Sequence, residues 1–365
     1  MKNSLVSVFL LAAIPFSSLR EIKPGPSSPL PVAGNIIIIT IDGFRWQEVF
    51  NGADPVLISD EIVTPDASSM KMLYWAPNAE ERRKKLLPFF WNILAAKGQL
   101  YGNRHFDNRV NTANFYSVSY PGYNEIFTGT TDINISSNSK VNNPNINILE
   151  YLDRKPAFTG KVAAFTSWDV FPYILNKERN NLVINSGYMP LPGPSSLKQE
   201  VISRVQAEAV YEKNATRYDQ LTFLTAKEYI SGQRPRIAYI GLGETDEFAH
   251  QRRYDLYLEQ ANKIDKMIAE LWHWVQTTPG YKNNTTFIIT TDHGRGSKSS
   301  RWSSHGEFIK GSSQTWLAII GPGISPLGEI KDDQQLYQVQ LAQTMANLLG
   351  EEFVGDSIAP AISLR

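Results

Sequence analysis

Three aspartates in this sequence each follow a run of aliphatic and β-branched residues, and histidines stand close behind two of them. Asn35 to Ile41 runs into Asp42-Gly43. Arg236 to Gly243 runs into Glu244-Thr245-Asp246, with His250 on the same side of the motif. Thr286 to Thr291 runs into Asp292-His293-Gly294, and His305 follows. The chain has five histidines, and these motifs hold three of them, His250, His293 and His305. Carboxylate and imidazole together are the donors that divalent transition metals take. The mixture suits zinc best, with manganese or iron also possible. A pair of such ions activates oxygen nucleophiles and stabilises anionic leaving groups, so the pattern points to a metal-dependent hydrolase.

The apolar runs read as buried strands. Their alternation with helical patterns predicts an α/β fold, a three-layer α/β/α sandwich with a largely parallel central sheet. In such sheets ligands bind beyond the carboxyl ends of the strands, where Asp42, Asp246 and Asp292 stand. Lys161 to Thr166 is expected as a further strand and Trp316 to Ile320 as a final one. A helix is expected from Pro88 to Lys97, stopped by Gly98, since proline favours helix starts and glycine helix ends. Tyr257, Ala261, Ile264, Ile268, Leu271 and Val275 recur at spacings of four and three, which predicts a long amphipathic helix after the second motif. Gln338 to Leu349 is expected as the closing helix, with Gly350 as its stop.

A nucleophile candidate lies between the first two motifs. Phe115 to Tyr123 reads as a loop entering a helix, with Ser119 near the first turn and Ser117 as the rival. A helix start presents free N–H groups to an anion. A serine hydroxyl there still needs a metal or a base to become reactive.

Taken in order, Asp42-Gly43, Ser119-x-Pro121, Asp246-x-x-x-His250, Asp292-His293-Gly294 and His305 resemble the alkaline phosphatase superfamily. The similarity is greatest to its type I nucleotide pyrophosphatase/phosphodiesterase branch. That resemblance implies two zinc ions and cleavage of a phosphodiester or phosphomonoester through a covalent phosphoseryl intermediate. Asp246, His250 and His305 would hold one ion. Asp42, Asp292, His293 and the Ser119 oxygen would hold the other. The branch carries an Asn-Asn pair whose second member binds a phosphoryl oxygen, and Val141-Asn142-Asn143 makes Asn143 the candidate. The backbone N–H after Ser119 would share that task. Two positions depart from the branch: Gly122 stands where it has Asn, and Ser119 where it has Thr. Sulfatases of the superfamily need an Arg at the place of Tyr123, which disfavours that activity. The same motifs would also suit a phosphotransferase or mutase of the superfamily, or a catalytically silent metal-binding protein.

The remaining features bound this picture. With 365 residues and a formal net charge of zero, the chain carries no general attraction to duplex nucleic acid or anionic lipid. The expected partner is a small-molecule phosphate ester. Cysteine is absent, which excludes disulfides and thiol catalysis. Residues 1–20 read as a signal peptide, with Lys2 ahead of a short apolar stretch, so a periplasmic or secreted bacterial protein is expected, with no membrane span once the signal is removed. Residues 21–34 form a lead-in, and 35–365 a single catalytic domain. Two polar stretches, Asn51 to Lys85 and Asn176 to Ser203, are expected as pocket-shaping insertions, the charged run Glu80 to Lys85 being a solvated helix face. Glu244 is either an orienting partner of the metal ligands or an exposed turn residue. Glu125 and Asp107 could reach the crevice but are expected to be structural; His105 and His273 lie outside the motifs, and His273 is expected to pack within the long helix. Tyr116, Tyr120, Tyr123 and Phe44 could either stack an aromatic leaving group or fill the core.

Overall fold

The computed structural model describes residues 32–191, 196–209 and 216–365. The signal peptide and most of the lead-in lie outside them. Eleven strands occur among the described residues: β1 (Asn35–Ile41), β2 (Gln99–Tyr101), β3 (Asn108–Asn111), β4 (Val162–Thr166), β5 (Val183–Ser186), β6 (Ile237–Leu242), β7 (Thr285–Thr290), β8 (Gln314–Thr315), β9 (Leu317–Ile320), β10 (Gly328–Glu329) and β11 (Gln334–Tyr337). Eight of them form one sheet in the order β10-β2-β9-β7-β1-β6-β4-β5. All pairings from β7 to β5 are parallel, and β9 alone runs against its neighbours. A three-stranded sheet, β11-β3-β8, stands apart.

The side-chain alternation of β1 shows how the layers form. Ile37, Ile39 and Ile41 enter one core cluster, whereas Ile36 and Ile38 enter the other. Successive strand residues point to opposite faces, so a strand of consecutive isoleucines is buried on both sides. Burying each such side chain is worth about 1.5–3 kcal/mol. The Tyr254–Thr277 helix covers the first face with the stripe Tyr257, Ala261, Ile264, Ile268, Leu271 and Val275. The Ser119–Thr128 helix covers the other, together with Ile148–Asp153 and Leu341–Leu348. The expected three-layer α/β/α sandwich is the observed fold. No helix among the described residues is long and apolar enough to cross a membrane.

Several local expectations need correction. The Pro88–Lys97 helix forms, but with a π-helical stretch at Phe90–Leu94, and the carboxylate of Asp265 accepts the Phe89 and Phe90 N–H groups at its start (2.8 and 3.0 Å). The strand at Leu317–Ile320 is followed by two more. The stretch from 176 to 203 supplies the edge strand β5, so part of it belongs to the central sheet. The charged run lies on the Ala79–Leu86 helix, yet Arg82 is buried and donates to the backbone carbonyls of Asn51, Ala76 and Pro77. His273 is exposed; its neighbours Trp272 and Trp274 make the packing contacts, with Phe287 and Tyr281.

Candidate active site

β7, β1 and β6 are adjacent and parallel, so their carboxyl ends share one rim. Asp42 follows β1, Asp292 follows β7 after Thr291, and β6 leads into the Glu244–His250 helix. Residues four apart on a helix share a face, and on this helix Asp246 Oδ2 lies 3.0 Å from His250 Nε2. His305 arrives on the loop after β7 and sets its Nε2 3.1 Å from His250 Nε2. In the second group, His293 Nε2 is 3.5 Å from Asp42 Oδ1 and 3.4 Å from Asp292 Oδ2. Within each trio the donor atoms all lie within 4.8 Å of one another. The His293 and His305 rings stack at 3.9 Å between centroids and link the two trios. Ser119, the first residue of its helix, places its hydroxyl 3.2 Å from His293 Nε2. Ser117 faces elsewhere, toward the Thr112 hydroxyl at 3.4 Å.

The donors fit a pair of divalent cations. Asp42 Oδ1 and Asp292 Oδ2 are buried carboxylate oxygens with no hydrogen-bond partner. Such orphans are costly unless a cation meets them. Burial and the adjacent Asp292 push the Asp42 carboxyl well above its usual range, and burial pushes Asp292 up to about 6. Burial holds both His293 and His305 below the ordinary imidazole value, so they are neutral. Their other nitrogens are engaged: Nδ1 of His293 meets the Gly294 carbonyl at 2.9 Å, and Nδ1 of His305 meets the Ser117 carbonyl at 3.2 Å. A carbonyl accepts only, so each Nδ1 carries the proton and each Nε2 turns a lone pair inward, as metal-ligating histidines do.

A cavity of about 180 Å³ opens on this centre, lined in part by Asp42, Ser119, Asp246 and His250. Its remaining wall holds residues that sequence reasoning missed, namely Asn138, Trp168, Thr216 and Glu247. None of the described residues of the two polar stretches lines it. Asn143, expected to meet a phosphoryl oxygen, is not on the wall. Its amide donates to Asn124 Oδ1 (3.0 Å) and its oxygen accepts the Asn145 N–H (2.9 Å). The Tyr120 N–H, expected to face the same oxygens, donates to Asn138 Oδ1 (2.9 Å). That bond holds Asn138, a residue of the cavity wall, by its side-chain oxygen. Gly122 has a steric reason: a Cβ there would lie 2.4 Å from the Asp292 carbonyl oxygen. Any side chain at this position would force the Asp292 loop to shift.

The surrounding residues take other parts. Arg295, a further residue missed, is buried, forms an ion pair with Asp246 and donates to the Gly43 and Ser303 carbonyls. Tyr123 donates its hydroxyl to Asp42 Oδ2 at 2.9 Å. Tyr120 and Phe44 are core residues, and Tyr116 donates to the Ile133 carbonyl. Glu244 neither orients a metal ligand nor turns to solvent. It accepts the Asp219 N–H (2.7 Å), while the Asp219 carboxylate accepts the Gly243 and Glu244 N–H groups (2.8 and 3.2 Å). Burial, with Asp219 beside it, raises Glu244 to about 8. Asp107 and His105 stand away from the cavity, Asp107 paired with Arg109 and His105 with Asn51 Oδ1.

Similar architectures are known. The chain is similar to the lipoteichoic acid synthase LtaP from Listeria monocytogenes, at 13% identity over 91% of this chain and 75% of that one, with a TM-score of 0.58. Wild-type alkaline phosphatase PafA is 12% identical over 92% of this chain and 99% of its own, with a TM-score of 0.58. A 2-O GAG sulfatase gives 12% identity over 90% and 73%, with a TM-score of 0.55. At these identities the likeness establishes the alkaline phosphatase superfamily fold alone. No curated protein matches the sequence. Residues 77–347 match the family described as Type I phosphodiesterase / nucleotide pyrophosphatase, and the chain belongs to that family of phosphate-ester hydrolases.

Proposed function

We propose that this chain is an exported phosphodiesterase that uses Ser119 as its nucleophile and two zinc ions as cofactors. The observation that carries this reading is the pair of three-residue donor groups joined by the stacked His293 and His305 rings, with the Ser119 hydroxyl 3.2 Å from His293 Nε2. Asp246, His250 and His305 would hold one ion, and Asp42, Asp292, His293 and the Ser119 oxygen the other. When bound, zinc supplies Lewis-acid stabilisation of negative charge on oxygen and lowers the pKa of an oxygen ligand.

The chain's own residues supply the rest. Ser119 sits at the amino end of a ten-residue helix, where the helix dipole favours an anion. Its oxygen forms a bond to phosphorus as the ester alcohol leaves, and water then cleaves the phosphoserine, releasing a monoester and restoring the hydroxyl. Asn138, held by the Tyr120 N–H, directs its amide nitrogen at a non-bridging oxygen. The cavity lining favours a diester. Apart from the metal-facing groups, the described residues that line it are Asn138, Trp168, Thr216, Gly243 and Glu247, none of them lysine or arginine. Among these described residues a monoester's second negative charge would meet Glu247 and no side-chain cation. Export rests on residues 1–20 and places the enzyme in the periplasm or outside the cell.

Purified protein assayed with bis-p-nitrophenyl phosphate, p-nitrophenyl phosphate and p-nitrophenyl sulfate tests the reading. The expected result is highest kcat/KM on the diester, loss on chelation and recovery with zinc. Turnover of the sulfate alone, or of none with two metals bound, refutes it.

A further inference from the structure

The Ser119–Thr128 helix carries a second acidic feature that the proposed reaction does not use. Glu125 is fully buried. Among the described residues no lysine or arginine pairs with it; three N–H groups do. The Ala113 N–H donates to one oxygen at 2.8 Å, and the backbone and side-chain N–H groups of Asn114 donate to the other. Asn114 is therefore fixed at both backbone and amide. Its Oδ1 accepts the Ser117 N–H at 2.8 Å. Ser117 has a φ of 48°, a left-handed conformation that a serine adopts only when its surroundings impose it. In that conformation the Ser117 carbonyl meets Nδ1 of His305 at 3.2 Å.

These contacts form one continuous chain, Glu125 to Asn114 to Ser117 to His305. We infer that Glu125 is a positioning residue: acting through Asn114 and the turned Ser117 carbonyl, it sets the tautomer and ring orientation of His305 and thus the affinity of the Asp246/His250/His305 group for its metal. The inference rests on the two-zinc reading above. It links the nucleophile's helix to the ligand group that does not include the nucleophile. A residue that orients a ligating histidine typically changes metal affinity by about 10–100-fold when removed. The other trio is outside the chain of contacts, because His293 is fixed by its own neighbour, Gly294.

Glu125→Gln keeps the volume but turns one acceptor into a donor facing N–H groups. Asn114→Ala leaves the carboxylate and cuts the link to Ser117. Stepwise zinc titration against a chelator should show one of two binding steps weakened about 10–100-fold in both variants, with the other step unchanged. The double variant should lose no more than the larger single loss, because both act through one chain. In the metal-free protein, the ¹⁵N shifts of His305 should report protonation at Nδ1, and Asn114→Ala should mix the tautomers. Equal weakening of both steps, additive losses, or unchanged His305 shifts in Asn114→Ala would overturn the inference. Absence of two zinc steps in the unaltered protein would instead overturn the two-zinc reading.

Discussion

Replacing Gly122 with alanine sets two well-characterised effects against each other. Within an open helix the change stabilises a protein by about 1 kcal/mol, because glycine is the poorer helix former. Here the added Cβ would lie 2.4 Å from the Asp292 carbonyl oxygen, 3.0 Å from its carbon and 3.3 Å from Asp292 Cβ. Asp292 cannot withdraw freely, since β7, which leads to it, is paired on both sides and its Oδ1 accepts the Gly43 N–H at 3.0 Å. Inserting a methyl group into such a contact costs about 1–3 kcal/mol. The steric effect offsets or exceeds the propensity gain, and the net loss is about 0–2 kcal/mol. Urea unfolding of the chelated protein, followed by tryptophan fluorescence, reads the stability directly. Zinc titration of the folded variant should also show the step that uses Asp292 weakened. If Gly122→Ala is as stable as the parent and binds zinc normally, the close approach of helix and ligand loop is refuted.

Ser119→Ala should abolish diester turnover while zinc content, measured by atomic emission, stays near two equivalents; substantial residual turnover would move the nucleophile elsewhere. His305→Ala should lose one equivalent preferentially, and retention of both would undo the ligand assignment. Asn138→Ala should lower kcat about 100–1,000-fold, the usual loss for a donor to a developing oxyanion, whereas Asn143→Ala should act mainly on thermal stability; the reverse order would restore Asn143 as the phosphoryl contact. Asp265 is raised to about 7 by burial, against about 3.9 in an unfolded chain. Between those values the folded state holds the extra proton, so its contribution to stability is lost as pH rises toward 7. Urea unfolding at several pH values should therefore show a smaller decline with rising pH in Asp265→Asn than in the parent, and parallel curves would contradict the assignment.

The strand-end motifs were readable because each joins a strong local signal to a chemically restricted one. Asp42, Asp246 and Asp292 could each be turn formers taken alone, but three such strand ends joined to Asp-x-x-x-His and Asp-His-Gly are hard to reconcile with a purely structural role. The Tyr257 to Val275 stripe was equally plain, since one face of a long helix repeats many times. Asn138 was not readable. Nothing in its neighbours distinguishes it from Asn142 or Asn143, and only the loop's path, tied by the Tyr120 N–H, sets it in the cavity. Short strands escape for a related reason: β8 and β10 have two residues each, too few to show a period. Arg82 and His273 were misjudged because a charged or aromatic neighbourhood says little about which member faces inward. Arg82 is buried only because carbonyls of two separate turns converge on it.

The reversed direction of β9 has a bearing on how this architecture can diversify. β7 ends and β9 begins on the same edge, so the intervening chain leaves and rejoins that edge without crossing the molecule. Its base is closed by the Ser297 N–H to Lys310 carbonyl bond (3.0 Å), and His305 rides within the excursion. Lengthening or shortening the segment on either side of His305 would move that imidazole relative to the strand-end carboxylates while leaving the scaffold's strand register untouched.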